Sequence, residues 1–494
     1  MKKSSIRFIV GILLSTLSGV LLLLSFPPYG FWPLIWIAIV PYRYAQYRLL
    51  PLKWSHLAET ITNLIWLGPF MARMFGMDNG PFFYFLGVFI AVLTFFLSKD
   101  RKFHEMTAYR WFLFQGVFAW VGFEMVRATF IPLVATSAFI GYTQSTQPWI
   151  TRPVSIFSIY GLNLLIMLVN FALTQALMYW SDRLWQFSDV VFVDKRLTRN
   201  GLVVAGVVLA AWFGTSFVIW SSLPSDMPTV RVAAIQPGYS KGAFQDEVNT
   251  SQMRFDAFAK DAREAAAQGA KIIFTPEMMF NLDPQMEFTD EFRALAAELD
   301  AYIFIDYTVS IEGQDWRNES LLLSPSGEFS AAYGKNEIPP GEPYTKSAGV
   351  YPVFDTAQGR LATMICHDAN YTETARKLAA NGAQIVSAGL NEFGGFGEQY
   401  WTNVSFRAIE NRTAMVVTSR ENGSAIINPD GSLSALNIER GKHVVLVGDV
   451  TLGSGNAPYT SLGDILGWAS MLAFFGFMVY QIRVENQTKK AIKT

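Results

Sequence analysis

Apolar residues crowd into seven stretches before Ser222, near positions 7–25, 30–49, 56–75, 81–98, 110–132, 155–181 and 201–221, and into one more near 462–482. Each approaches or reaches the roughly 17 to 25 residues that carry a helix across a bilayer core. Between the last two the pattern changes. From Thr229, TVRVAAIQP reads as a buried strand, QDEVNTSQMRFDAFAKDAREAAAQGA as an amphipathic helix closed by glycine, and KIIFTPE as a second strand. The alternation goes on through helix-like FTDEFRALAAELD, strands AYIFIDYTV, SLLLSPSGE and GRLATMI, helix TETARKLAANG, strand AQIVSAG, helix EQYWTNVSFRAIENR and strand AMVVTSRENG. SAIINPDGSLSAL reads as a hairpin through Asp430-Gly431, and HVVLVGDV closes the series. Apolar runs with helices between them predict sheets covered by helices, in one domain of ordinary size. The chain therefore divides into a helical membrane part over 1–222, an α/β domain over 223–460, and a final membrane helix with a tail over 461–494.

Charge orients these pieces, because Lys and Arg accumulate on the cytoplasmic side of short loops. Lys2, Lys3 and Arg7 precede the first stretch. With each stretch reversing direction, the same side receives Arg43, Arg48 and Lys53, then Lys99, Arg101, Lys102 and Arg110, then Arg183, Lys195, Arg196 and Arg199. The other side receives only Arg73, Arg127 and Arg152. Eight crossings also bring the tail, with Arg483, Lys489, Lys490 and Lys493, back inside. Both termini are thus expected in the cytoplasm and the α/β domain outside it. No small-residue cleavage site precedes SFPPYG, so the first stretch is expected to remain as a span rather than leave as a signal peptide. Glu124 and Arg127 lie three apart on one helix face and are expected to pair near an outer helix end.

Composition agrees with the membrane reading: 51% of residues are hydrophobic and only 16% charged. The net charge of −1 and the lack of basic tracts give no sign of a nucleic-acid partner.

Cys366 is the sole cysteine, so it has no intramolecular disulfide partner, and it stands at the end of GRLATMI where a nucleophile elbow would hold it. Taken alone, a free cysteine more often packs as a small hydrophobe. Two other polar residues also end strands or follow them: Glu277 after KIIFTP and Lys335 in YGKNEIPPGE. Strand ends converge on the crevice of such domains. Carboxylate, ammonium and thiol form a coherent set in which the thiol attacks a carbonyl, the carboxylate handles its proton and the ammonium stabilises the oxyanion.

The order Glu277 in TPEMMF, Lys335 in GKNEIPPGE and Cys366 in MICHD, with WRNESLLLSPSGE between, resembles the nitrilase superfamily. That resemblance implies an αββα sandwich with a Glu-Lys-Cys triad, and it gives Glu342 the place of a second glutamate that positions the triad. The membrane half narrows the likeness: SFPPYGFWPLIWIAIVPY, WVGFEMVR and GYTQ resemble the apolipoprotein N-acyltransferases. This implies a bacterial inner-membrane enzyme that moves an acyl chain from a phospholipid donor, through a thioester on Cys366, to the amine of a diacylated lipoprotein acceptor. The same triad is compatible with a membrane-tethered amidase or another amine acceptor; a non-catalytic transporter or scaffold fits the triad poorly.

The chain departs from the family where Cys-Tyr-Glu becomes Cys366, His367 and Asp368, and around GLNEFGGFGEQYW. His367 and Asp368 are expected beside the nucleophile, with His367 either a second base or, preferably, a wall residue lending its N–H to an oxyanion. Met278, Phe280 and Trp401 are candidates for lipid contact, against ordinary core packing. Gly394, Gly395 and Gly397 predict a flexible connection or lid. No Cys/His/carboxylate spacing suggests a metal, and no cofactor is expected.

Overall fold

The computed structural model describes residues 3–75, 80–97, 100–131, 135–187, 189–222, 227–238, 250–310, 316–391 and 395–493. Helices cover seven of the eight apolar stretches: α1 Lys3–Ser25, α2 Leu57–Phe75, α3 Gly80–Leu97, α4 Phe112–Phe130, α5 Val154–Trp185, α6 Lys195–Ser221 and, after the α/β domain, a last long helix over Ile465–Lys493. Among the described residues, four segments are long and apolar enough to cross a membrane: Ser5–Ser25, Val154–Trp185, Lys195–Ser221 and Ile465–Lys490.

The exception is 30–49, expected as one helix. It is a chain of short pieces, a 3₁₀ turn over Trp32–Trp36, a helix over Val40–Tyr44 and a π turn over Ala45–Leu49. Pro33 and Pro41 each open a piece, since proline suits a first turn and cannot continue a preceding helix. A break at membrane depth frees backbone groups that hydrocarbon cannot satisfy. Here the α5 side chain Asn170 serves both sides of it. Its Nδ2 donates to Ile35 O at 3.0 Å and its Oδ1 accepts from Ile39 N–H at 3.0 Å, while Ser18 Oγ accepts from Tyr42 N–H.

Two sets of polar contacts mark the two ends of the bundle. At one end Arg48 grips Asp182 through two bonds of 2.6 and 3.0 Å, Arg43 reaches Asp100 at 2.8 Å, and Arg7 reaches Asp189 at 2.8 Å. These are the segments that the loop charges placed together. At the other end contacts reach the α/β domain: Arg73 to Glu398, Thr136 to the Asn370 main-chain carbonyl, and Ile159 N–H to Glu410. The last fills a break in α5, where Ser158 leaves helical geometry at φ 57° and ψ 176°. The expected attraction between Glu124 and Arg127 is present, and the hydrogen bonds of Glu124 go to other partners. Glu124 accepts from Asn163 Nδ2 at 2.7 Å and Trp120 Nε1 at 3.1 Å, and Arg127 lies over the Phe139 ring.

The α/β domain has two six-stranded sheets. In chain order its elements are β1 Thr229–Gln236, α7 Ser251–Ala267, β2 Ile272–Phe274, α8 Thr289–Leu299, β3 Tyr302–Val309, β4 Arg317–Leu323, β5 Tyr333–Gly334, β6 Phe354–Thr356, β7 Gly359–Ile365, α9 Thr372–Ala380, β8 Ile385–Leu390, α10 Gly395–Asn411, β9 Ala414–Ser419, β10 Ser424–Ile427, β11 Leu433–Asn437 and β12 Val444–Thr451, with the final helix as α11. The sheets run β12-β1-β2-β3-β4-β5 and β11-β10-β9-β8-β7-β6. Strand alternation builds the layers. Val232, Phe274 and Phe304 of the first sheet meet Ile385, Val416 and Ile426 of the second. The opposite face of the first sheet packs Ile235, Ile273 and Ile305 on Phe258 of α7 and Phe292 of α8. The second packs Met364, Val386 and Val417 on Leu378 of α9 and Val404 of α10. The result is the expected α-β-β-α sandwich.

Helix α10 joins the two halves. Tyr400, Trp401, Val404 and Ala408 face the second sheet, whereas Phe406 and Ile409 belong to the apolar core of the bundle. Fifteen of its seventeen residues are buried, which leaves it no solvent face.

Candidate active site

Four strand-terminal loops supply the site. Glu277 follows β2, Cys366 ends β7, Asn391 follows β8, and Arg420 follows β9. Each of these strands runs parallel to at least one neighbour in its own sheet, and the loops leave at their carboxyl ends. Lys335 follows the short edge strand β5, which pairs with β4 and brings Asn318 with it.

Glu277 is the hub. Its Oε1 accepts from Lys335 Nζ at 2.9 Å and Asn318 Nδ2 at 2.7 Å, and its Oε2 accepts from Asn391 N–H at 3.0 Å. The Cys366 thiol also hydrogen-bonds this carboxylate. Burial pushes its pKa up, but Lys335, Asn318 and Cys366 together outweigh that and hold the carboxyl below its ordinary value. Lys335 also donates to Glu342 Oε2 at 2.7 Å. Burial disfavours its ammonium, yet Glu277, Cys366 and Glu342 hold its pKa above the usual lysine value. Lys335 is fully buried, and Cys366 is 5% exposed. The structure thus brings Cys366, Glu277, Lys335 and Glu342 together.

Cys366 has φ of +48°, in the left-handed region that side chains avoid, so a sharp turn between β7 and the following 3₁₀ turn presents the thiol. Asp368 enforces that turn rather than lining the site. Its Oδ1 accepts from the N–H of Asn336 and of Glu337, and its Oδ2 from Ile365 N–H and Tyr333 OH, all at 2.7 to 3.1 Å. Burial pushes its pKa up to about 6 against those bonds. Asp368 thus stands beside the nucleophile as expected, and its side chain fastens the elbow to the loop that carries Lys335. His367 is nearly buried beside Cys366, with Nδ1 3.2 Å from Asn370 Nδ2 and its ring edge-on to Tyr371.

Of the three lipid-contact candidates, one stands at the site. Met278 is half-buried, adopts φ of +58°, and its sulfur accepts from Tyr344 OH at 3.2 Å and Asn391 Nδ2 at 3.3 Å. Phe280 is fully buried with edge-on contacts to Phe258 and Phe292. Trp401 packs in the core under α10. Both are core residues, a correction: Phe280 packs beneath α7 and α8, and Trp401 lies on the face of α10 that meets the second sheet. Gly394 lies outside the described residues. Gly395 and Gly397 open α10 instead of a loop, because a Cβ at the first would strike Arg73 O at 2.3 Å and one at the second Asn422 O at 2.4 Å.

Sequence reading missed Asn318, Asn391, Tyr344 and Arg420. Tyr344 lies near the Lys335 ammonium, and Arg420 donates to Asn391 Oδ1 at 2.8 Å, with burial lowering its pKa to about 10. Position after a strand marks Asn391 and Arg420 with hindsight; no pattern marks the other two. Among the described residues no group of three or more His, Cys, Asp or Glu side chains could hold a metal.

A buried thiol, carboxylate and ammonium at the strand ends of an α-β-β-α sandwich, seated on an apolar helical bundle, define a membrane-embedded protein of the nitrilase class. Comparison with known families agrees: residues 231–457 match the carbon-nitrogen hydrolase family, and residues 18–172 match the apolipoprotein N-acyltransferase N-terminal domain. Through both halves the chain is similar to the apolipoprotein N-acyltransferases. It is 26% identical to the apolipoprotein N-acyltransferase of Geobacter metallireducens, over 92% of each chain. It is 22% identical to that of Thermotoga maritima, over 97% of this chain and 96% of the relative. A deaminated glutathione amidase of Mus musculus is 27% identical over 40% of this chain and 68% of its own length.

Proposed function

We propose that the protein transfers a fatty acyl chain from a membrane phospholipid to the N-terminal amine of a diacylglyceryl-cysteine lipoprotein, with Cys366 as nucleophile, Glu277 as general base and acid, and Lys335 as oxyanion stabiliser. Glu277 takes the thiol proton as sulfur attacks an ester carbonyl. The carbonyl oxygen gathers negative charge beside the Lys335 ammonium. Collapse breaks the ester C–O bond, the leaving alkoxide takes the proton from Glu277, and a lysophospholipid departs from a thioester on Cys366. The amine then attacks the thioester carbonyl, Glu277 accepts an N–H proton, and collapse returns the electron pair to sulfur and the proton to the thiol. Glu342 holds the second side of Lys335, so the ammonium cannot swing away from the base.

The observation that carries this reading is the buried Glu277 carboxylate, which accepts bonds from Lys335, Asn318 and Asn391 while touching the thiol. A depressed pKa keeps it ionised and ready to accept a proton, and near-complete burial keeps water from the thioester. Substrates anchored in a bilayer account for an α/β domain that has one helical layer pressed onto membrane helices. In this reading the chain crosses the inner membrane eight times, counting the broken segment over 30–49, with both termini cytoplasmic and the domain outside. Helices α2 and α5 touch that domain through α10, and Asp464, just before α11, accepts from Thr372 Oγ1 of α9, while the Arg–Asp pairs gather the other ends, which supports the arrangement.

Intact-mass spectrometry tests it. Wild-type protein given phospholipid is expected to gain one acyl mass that Cys366→Ala lacks, and a diacylated lipopeptide with a free amine is expected to discharge it as an N-acyl product. Discharge by water alone would point to a hydrolase, and no adduct would overturn the phospholipid donor.

A further inference from the structure

The environment of His367 determines which of its ring nitrogens carries the proton. The Tyr400 hydroxyl has one proton, and it donates to the main-chain carbonyl of Cys366 at 3.3 Å. Toward Asn370, 2.6 Å away, it can only accept, so Asn370 turns its NH₂ group to Tyr400. The other end of that amide agrees, since Asn370 Oδ1 accepts from Asn403 Nδ2 at 3.0 Å. The same NH₂ lies 3.2 Å from His367 Nδ1. A donor facing Nδ1 requires Nδ1 to accept, and a neutral imidazole then bears its proton on Nε2. The bundle holds Asn370 from the far side, where Thr136 Oγ1 donates to its carbonyl at 2.7 Å and receives Tyr142 OH at 2.9 Å. Asn370, Tyr400 and Asn403 are all at least 97% buried.

We propose that Asn370 is a positioning residue that fixes His367 as the Nε2–H tautomer, so that the ring beside the nucleophile is a hydrogen-bond donor and not a second base. An imidazolium would set its Nδ1–H against the Asn370 NH₂, two donors face to face. The ring therefore stays neutral, and the protons of acyl transfer pass through Glu277. This rests on Cys366 and Glu277 acting as proposed above. It also gives the membrane bundle a part in the chemistry, because Thr136, itself held by Tyr142, fastens the main chain of the residue whose side-chain amide orients the ring.

The chain has four histidines, which makes the tautomer readable by ¹⁵N NMR of the full-length protein in micelles. The expected spectrum shows a pyrrole-type Nε2 and a pyridine-type Nδ1 for His367, assigned by its loss on substitution; an Nδ1–H ring in the wild type overturns the inference. Asn370→Asp puts a carboxylate against Nδ1 and is expected to convert the ring to Nδ1–H and to slow acyl-enzyme formation by about 10- to 100-fold. A variant that folds with tautomer and rate unchanged also overturns it. His367→Gln and His367→Glu decide without that variant. Glutamine keeps an N–H donor and is expected to lose less rate than glutamate; equal losses, or an advantage for glutamate, overturn the donor role. Failure of the underlying acyltransferase reading shows itself separately, as a wild type that gains no acyl mass whatever its tautomer.

Discussion

Helices α7 and α10 are both seventeen residues long and both cover a sheet of the same sandwich, yet they live in different surroundings. On α7 an apolar stripe of Phe255, Phe258, Ala259 and Ala262 meets the sheet, and Lys260, Arg263 and Glu264 stay exposed or half-exposed toward water. On α10 the face that water would cover is covered by the bundle, so Arg407 and Glu410 are fully buried, 2.7 Å apart, and Glu410 also accepts the Ile159 N–H at the break in α5. One architecture thus carries a tolerant helical layer and an intolerant one. Placement against the membrane half makes the difference, not helix propensity.

Substitutions should separate the two layers. Glu410→Ala leaves a guanidinium without its partner in the protein interior and uncaps α5, so it is expected to cost about 3 to 5 kcal/mol, read as a large fall in melting temperature of the detergent-solubilised protein. Arg263→Ala on α7 breaks an exposed pair with Glu298 and should leave the melting temperature within error. A loss in both, or in neither, would erase the contrast.

Between the sheets lies a smaller test of the same logic. Asp306 of β3 is buried, accepts from Ser320 Oγ at one oxygen, and presses the other against Gly389, where it finds no hydrogen-bond donor. Burial, with the nearby Glu277 adding repulsion, raises its pKa to about 8. A carboxyl that stays protonated when folded and ionises near pH 4 when unfolded confers its full stability only below that value, and loses it as pH rises toward 8. Asp306→Asn should therefore raise stability by on the order of a few kcal/mol at neutral pH and by almost nothing below about pH 4. A gain that ignores pH would mean that charge is not the cause.

The smallest contrast compares two glycines. At Gly397 an added Cβ meets the Asn422 carbonyl oxygen at 2.4 Å, a backbone atom that cannot step aside, so Gly397→Ala should cost about 1 to 3 kcal/mol. At Gly269, after α7, the space holds only the flexible Arg231 side chain, and the φ of +88° is the obstacle. Gly269→Ala should cost about 1 kcal/mol, through backbone strain alone. Equal melting shifts would say that the α10 contact yields.

Much of this was legible beforehand. The long periodic helices, the apolar strands, and the order of Glu277, Lys335 and Cys366 could be read because each depends on local pattern or on a short motif. The break over 30–49 was not legible: its residues are as apolar as a true span, and its stability depends on Asn170, more than a hundred residues away. Asp368 read as a site residue because it adjoins the nucleophile, although a side chain two positions from a sharp turn points elsewhere. Phe280 and Trp401 were ambiguous for a simpler reason. An aromatic beside a motif looks the same in sequence whether it faces substrate or core, and only the packing of α7, α8 and α10 decides.

Helix α5 has a bearing on how the chain is made. On this one helix Asn163 accepts from Gly141 N–H, Asn170 donates to Ile35 O and accepts from Ile39 N–H in the broken segment, and Asp182 accepts from Arg48. All three partners are synthesised earlier. Until α5 arrives, the peptide groups at the break lack these partners, and hydrocarbon offers no substitute. The early helices must therefore wait, in the company of the insertion machinery or of water, and the bundle closes only when its fifth long helix comes through.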